Sequence, residues 1–340
     1  MSVYELLGRL AIRDVGTRRI STGASIPVVG LLVAGCIFLT VGSLSSSQFA
    51  QLTVSGVAQG SVFASLALAL VLIYRATEVV NFAQGEMALF TTYIAYQLTL
   101  WGLSYWAAFF ATLGIAFVGG IAVQQVLIRP VQHKSVIAVV IVSIGLLSVI
   151  DGVVIWIWGG DPKFMPAPFG ASVYHVGGVS VALTDLGTIG VAIGTVLVLW
   201  LFFQFTKLGL AMRAAALRPA AARLVGVRVN WMLALGWGFA AVLGAVAGLL
   251  TEPNQFVLSP TMMQPILIYA FAAAVLGGLE SPMGSVVSGI ALGIFLNLLG
   301  QYGGYLKAAE LRLPVAFAVL LVVLLVKPSG LFGRAAVRKV

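Results

Sequence analysis

Two acids stand inside otherwise apolar stretches of this 340-residue sequence, Glu86 in "VNFAQGEMALF" and Asp151 in "LLSVIDGVVIW". An ionisable group placed in hydrocarbon is costly, and by default it marks a transport path, a proton relay or a buried pairing. Asn81 and Gln84, just ahead of Glu86, supply uncharged donors and acceptors, and Gly85 permits a bend or a close approach. Polar side chains and irregular backbone are tolerated at membrane depth where they are buried in protein or line a cavity. Asn81, Gln84, Gly85, Glu86 and Asp151 are therefore candidates for a translocation path. Glu86 fits a second place equally well, at the interface, solvated or paired with Arg75. Asp151 also fits a structural hydrogen bond to a neighbouring helix.

Other chemistry finds no constellation. The two histidines, His133 and His175, have no partner at ligand spacing and fall on opposite sides of the membrane in the topology below, so no metal site is expected. Lys134 and Ser135, in "IRPVQHKS", lack the preceding glycine loop that would cradle phosphates. No nucleophile stands beside a base, so an enzyme is not expected, nor is a cofactor.

These residues are carried by elements that belong in lipid. Hydrophobic residues make up 61% of the chain and charged ones 9%, and the mean hydropathy is +1.09. Ten acids and nineteen bases cannot clothe an apolar core of that size in water. A hydrocarbon layer of about 30 Å requires about 20 helical residues. The runs near that length are roughly Ile26 to Leu44, Leu52 to Tyr74, Ala83 to Leu100, Tyr105 to Ile128, Ser135 to Trp158, Leu186 to Thr206, Trp231 to Thr251, Pro265 to Gly278, Met283 to Leu299 and Leu313 to Val326. They lack the alternation of a membrane barrel, and the third, eighth and tenth are short or polar enough to be re-entrant. The expected fold class is all-α: a polytopic membrane bundle of about ten hydrophobic segments.

Loops rich in Lys and Arg stay in the cytoplasm. With the amino terminus inside, sixteen of the nineteen bases are cytoplasmic, and only Lys163, Lys307 and Arg312 fall outside. Both termini are then cytoplasmic, in the inner (plasma) membrane, and the net charge of +9 reflects topology rather than nucleic acid. The chain divides into a basic extension over 1–25, a membrane domain over 26–326 and a basic tail over 327–340. "GGDPKFMPAPFGASVYHVGG", Gly159 to Gly178, is expected to be the largest extracytoplasmic loop. Trp101, Tyr105, Trp106, Trp156 and Trp158 sit where interfacial aromatics belong. No A-x-A site follows the first apolar run, which argues against a cleaved signal peptide, and the lone Cys36 packs as a small apolar side chain. The 39 glycines concentrate within the apolar runs, which suits close helix packing in a compact bundle.

One cytoplasmic stretch stands apart: "KLGLAMRAAALRPAAARLVGVRVN", residues 207–230, carries five bases and no acid. Its alanines favour helix, Pro219 suits the first turn of a second helix, and Gly226 is placed to end it. Arg213, Arg218, Arg223 and Arg228 recur every five residues, so each is turned by about 140° from the last and no basic stripe forms along a membrane surface. A solvated loop accounts for the charges. Docking against another protein accounts for both the charges and the small apolar residues such as Ala222.

"SLALALVLIYRATEVVNFAQGEMALF" and "GLAMRAAALRPAAARLVGVRVN" resemble the two best-marked stretches of the branched-chain amino acid ABC transporter permease family. The resemblance extends more weakly through "VSIGLLSVIDGVVIWIWG" and "LPVAFAVLLVVLLVKPSGLFG", and so covers nearly everything after about residue 50. It implies a permease that pairs with a second, related permease subunit, two cytoplasmic ATP-binding subunits and an extracytoplasmic solute-binding protein. It also implies that the stretch holding Arg213, Arg218, Pro219, Ala222, Arg223 and Gly226 couples the permease to the ATPase. Relatives with these motifs are associated with urea and short amides as well as branched-chain amino acids. The sequence departs from the family at Glu78, where a small residue, commonly glycine, is usual. An ion-coupled secondary transporter using Glu86 or Asp151 is the alternative. It has no need of the basic elbow and would want more intramembrane acids.

Overall fold

The structure, a computed structural model, describes residues 45–333 apart from 133, 171, 177, 256, 302–307 and 328. The basic extension, the run Ile26 to Leu44 with Cys36, and His133 lie outside the described residues.

Long apolar sequences become helices here because lipid offers no partner to a free backbone group. In chain order they are α1 (Ser46–Thr77), α2 (Gln84–Leu100), α3 (Tyr105–Val123, continued by a π turn at Gln124–Ile128), α4 (Val136–Trp158), α5 (Leu183–Phe205), α6 (Lys207–Leu217), α7 (Pro219–Leu224), α8 (Val229–Gln255), α9 (Met263–Gly277), α10 (Pro282–Gln301) and α11 (Ala308–Val326). Six of the described helices, α1, α3, α4, α5, α8 and α10, are long and apolar enough to cross a membrane. Helix α9, of 15 residues, is shorter than a full crossing needs, and α2, of 17, is at the lower limit.

The helical architecture expected from the sequence gains one addition. Within and beyond the expected outer loop, β1 (Val173–Val176) and β2 (Val179–Ala182) form an antiparallel hairpin, with Val173 opposite Ala182 and His175 opposite Ser180. His175 spends its Nδ1 on the Ser180 hydroxyl at 2.9 Å. The same loop is fastened to the bundle by a two-way backbone pairing of Lys163 with Leu258, both bonds 2.9 Å.

Burial sorts the helices into a centre and a rim. The most apolar stretch of α1 is 83% buried and that of α8 72%, whereas α4 and α5 bury only 11% and 17%. Helix α1 has apolar residues on every side because it is surrounded, as an all-round hydrophobic helix must be. Its longest seam is with α10. There Gly60 and Gly293 lie backbone to backbone, and a Cβ added at Gly60 would stand 2.7 Å from the Ile290 Cα. Small residues make such approach possible where water supplies no force between helices. The far end of the chain also packs on the bundle: Leu331 and Phe332 donate backbone N–H groups to the terminal carbonyls of α9, at Leu276 (2.7 Å) and Gly277 (3.2 Å).

At the junction of α5 and α6 there is no loop. The Thr206 hydroxyl donates to the Phe202 carbonyl (2.7 Å) and accepts from the Gly209 N–H (2.9 Å), so one side chain closes one helix and caps the next. Gly209 is buried there against the backbone of Phe202 and Phe203.

Candidate functional site

Helix α1 ends at Glu78, whose N–H reaches the Tyr74 carbonyl at 2.7 Å while its backbone turns left-handed (φ 57°, ψ 13°). Among the described residues it is the only non-glycine with positive φ. A side chain in that conformation costs roughly 1–2 kcal/mol, and a glycine would hold this cap without that strain. The link that follows is fixed by Asn81. Its Oδ1 accepts from the Ala83 N–H (3.1 Å), an Asx turn that starts α2, and its amide donates to Gln84 Oε1 (3.2 Å). Gln84 in turn donates through Nε2 to the Ala240 carbonyl of α8 at 2.9 Å.

Asn81 and Gln84 are thus buried and committed to bonds within the chain. Glycines make the clasp possible. A Cβ at Gly244 would stand 2.7 Å from the Gln84 Nε2, and one at Gly85 would press on the Leu267 side chain of α9 at 3.1 Å. Leaving either amide without its partner in this setting costs roughly 1–3 kcal/mol.

Glu86 follows on the first turn of α2, at 2% exposure, away from the solvated position beside Arg75. Its Oε2 is buried and has no hydrogen-bond partner among the described residues. Beside it, Met87 packs with Leu146 and Ile150 of α4, which brings the half-buried Asp151 within electrostatic range of Glu86. The polar link therefore joins α1, α2, α4, α8 and α9, and it leaves one acid with an unused oxygen.

The second motif lies apart from the first. Helix α6 ends at Arg218, a single non-helical residue (φ −143°, ψ 76°), and α7 begins with Pro219 at its first position, which suits a residue without an N–H. Ala222 is the buried contact of α7, packed with Ala215 and Val229. Gly226 follows with φ 83°, its N–H on the Arg223 carbonyl (3.1 Å), and the Val227 N–H returns to Ala222 (3.0 Å). Leu217, Leu224 and Val225 are 68%, 89% and 79% exposed at the tip of this elbow. Arg213 is half-buried and bonded to Gln204 Oε1 at 3.1 Å. Arg223 and Arg228 instead border a concavity of about 380 Å³ together with Arg129, from the end of the π turn, and Trp231. Arg129 is a member that the local sequence pattern did not join to this group, because it lies some ninety residues earlier.

A second residue missed at the sequence level is Asp185, which sits in the first turn of α5 and accepts from the Ser55 hydroxyl of α1 at 2.7 Å. An acid in a helix's first turn was the available signal. No group of three or more metal-ligating side chains occurs among the described residues.

Comparison with known proteins identifies the family. Residues 52–324 match the family described as branched-chain amino acid transport system / permease component. The chain is 30% identical over 305 residues to the high-affinity branched-chain amino acid transport system permease protein LivH of Escherichia coli, covering 86% of this chain and 98% of that one. It is 29% identical, with the same coverage, to the corresponding protein BraD of Pseudomonas aeruginosa. A weaker likeness, 25% over half of this chain and 46% of the other, is to the xylose/arabinose import permease protein XylH of Sulfolobus acidocaldarius. The polar link and the arginine elbow both lie within the matched span, and the chain belongs to the branched-chain amino acid transport permease family.

Proposed function

We propose that this chain is the membrane-spanning permease subunit of an ABC importer for branched-chain amino acids, multi-pass in the inner membrane, with both termini and the α6–α7 elbow cytoplasmic. A second related permease, two ATP-binding subunits and an extracytoplasmic solute-binding protein complete it. The observation that carries this reading is the elbow. It presents an apolar tip between arginines, on a scaffold of buried alanines, and a chain working alone has no use for that surface. Membership of the permease family and the 98% coverage of the Escherichia coli relative support it.

Within this reading Asn81, Gln84 and Gly85 hold the start of α2 in place, and Glu86 with Asp151 is the acid pair on the translocation path. A carboxylate pair suits the ammonium group of an amino acid, and separation of α2 from α4 would uncover the unused Glu86 oxygen. The residues of the elbow, from Arg218 through Pro219, Ala222 and Arg223 to Gly226, form the surface on which the ATPase acts, and Arg213, bonded to Gln204, ties the base of this coupling segment to α5.

The test is leucine uptake by the complex co-purified with its partners and reconstituted in vesicles. Uptake requires ATP and persists when the proton gradient is collapsed. Glu86→Gln lowers uptake while the subunits still co-purify. Accumulation of leucine by the purified chain alone, in response to a proton or sodium gradient, would defeat the proposal in favour of a secondary transporter.

A further inference from the structure

A groove of about 410 Å³ opens between α1, α5, α6, α8 and α10 and shares no lining residue with the polar link. Its lining is apolar apart from a few groups gathered at one end: Arg75 in the last turn of α1, Arg213 on α6, and Gln204. The two guanidiniums are close enough to act on one another, and Glu280 is the acid that bears on Arg75. Arg213 donates to Gln204 through Nη1, but its Nε is buried and has no partner.

The other end of the groove is hydrocarbon. At 1.5 Å per residue, Leu68 lies roughly 10 Å further along α1 than Arg75, and Val196 lies roughly 12 Å along α5 from Gln204. Trp200 and Met283, 44% and 60% exposed, form a rim through which the groove opens sideways. The order along it is therefore cationic, then aromatic rim, then aliphatic. That is the order of polarity in a phospholipid from headgroup to acyl chain, and basic pockets between membrane helices on the cytoplasmic side suit acidic headgroups.

We infer that this groove is a binding site for one anionic phospholipid of the cytoplasmic leaflet, its phosphodiester held by Arg75 and Arg213 and an acyl chain lying along Leu68 and Val196. The two guanidiniums and the free Arg213 Nε–H suit the anionic oxygens of a phosphodiester. A soluble anion would use the arginines and leave the apolar wall wet. An apolar helix of a partner subunit would cover the wall but leave the buried Arg213 Nε without an acceptor. The leaflet assignment rests on the proposed orientation; the occupancy does not.

The experiment is native mass spectrometry of the co-purified complex in mild detergent, supplied with equimolar phosphatidylglycerol and phosphatidylcholine of identical chains. The complex retains one phosphatidylglycerol in preference to phosphatidylcholine by about tenfold, because choline would set a second cation beside Arg75 and Arg213. Arg213→Gln abolishes the preference. Met283→Trp, on the exposed rim, narrows the mouth while keeping both charges, and it reduces retention of the bound lipid several-fold. Glycerophosphoglycerol, which keeps the singly charged phosphodiester but has no chains, does not displace the lipid. Equal retention of the two lipids by the unaltered complex, survival of the preference in Arg213→Gln, unchanged retention in Met283→Trp, or displacement by glycerophosphoglycerol would each overturn the inference. Sidedness, read separately by cysteine labelling, tests the leaflet without touching the lipid result.

Discussion

Replacing Gly60 by alanine adds one methyl group at the tightest seam in the bundle. An added Cβ there meets the Cα and carbonyl oxygen of Ile290 at 2.7 Å and the Gly289 carbonyl at 3.0 Å. Carbon atoms rest at about 3.5–4.0 Å, so α1 and α10 must part by about 1 Å along the seam. All of these neighbours are backbone, so no side chain can swing aside. Overpacking of this kind costs typically 1–3 kcal/mol. In water part of that loss would be returned by the better helix propensity of alanine. In a membrane it is not, because a span stays helical when it leaves its neighbours. Gly145 on α4 is the control, since an added Cβ there meets nothing within 4 Å. Gly60→Ala is expected to lower stability by about 2 kcal/mol and Gly145→Ala by close to nothing. The assay is loss of the monodisperse species of the detergent-solubilised chain after graded heating. Equal losses for the two variants would refute the claim that backbone contact at the seam decides the cost.

Three further outcomes are expected. Glu78→Gly relieves the left-handed cap and raises stability by about 1 kcal/mol, seen as a higher midpoint in the same heating assay; a lower midpoint would mean that the carboxylate makes a contact worth more than the strain. Gly226→Val strains a position with φ 83° but free space around it, so Gly226→Asn, which tolerates that backbone, is expected to keep most of the ATPase stimulation by loaded binding protein that Gly226→Val loses; equal loss in both would point to the missing hydrogen itself. Cysteine placed at the exposed Ser172, on a background lacking Cys36, is expected to react with an impermeant maleimide from outside intact cells, and reaction only after permeabilisation would reverse the orientation.

Helix positions were legible because each depends on a local property, the length of an apolar run, and α3, α4 and α5 lie within about three residues of the stretches read from sequence. The elbow was legible for the same reason: Pro219 and Gly226 act through their own backbone. The hairpin was not, since its strands are four residues each and sit in a stretch whose glycines and prolines signal only turns. The role of Gln84 was hidden for a different reason. Its partner, the Ala240 carbonyl, is 156 residues away and belongs to a backbone group that no side-chain pattern advertises. Polar residues in an apolar run announce that something must satisfy them; whether that is the solute or the protein itself depends on neighbours brought in by the fold. Glu78 shows the converse case. A charged residue there reads as chemistry, whereas its left-handed backbone shows a strain that a glycine would not carry.

The Thr206 hydroxyl has a mechanical meaning. A hinge needs a residue whose torsions can turn without breaking anything, and the joint between α5 and α6 has none to spare. Bending it would part the hydroxyl from both Phe202 and Gly209 and would drive Gly209 against the backbone it already touches. The two helices therefore behave as a welded bracket, about 16 Å on the short arm and about 34 Å on the long one. The direction of the short arm is thus fixed to that of the long one, whose far end is tied to α1 where Asp185 accepts from Ser55.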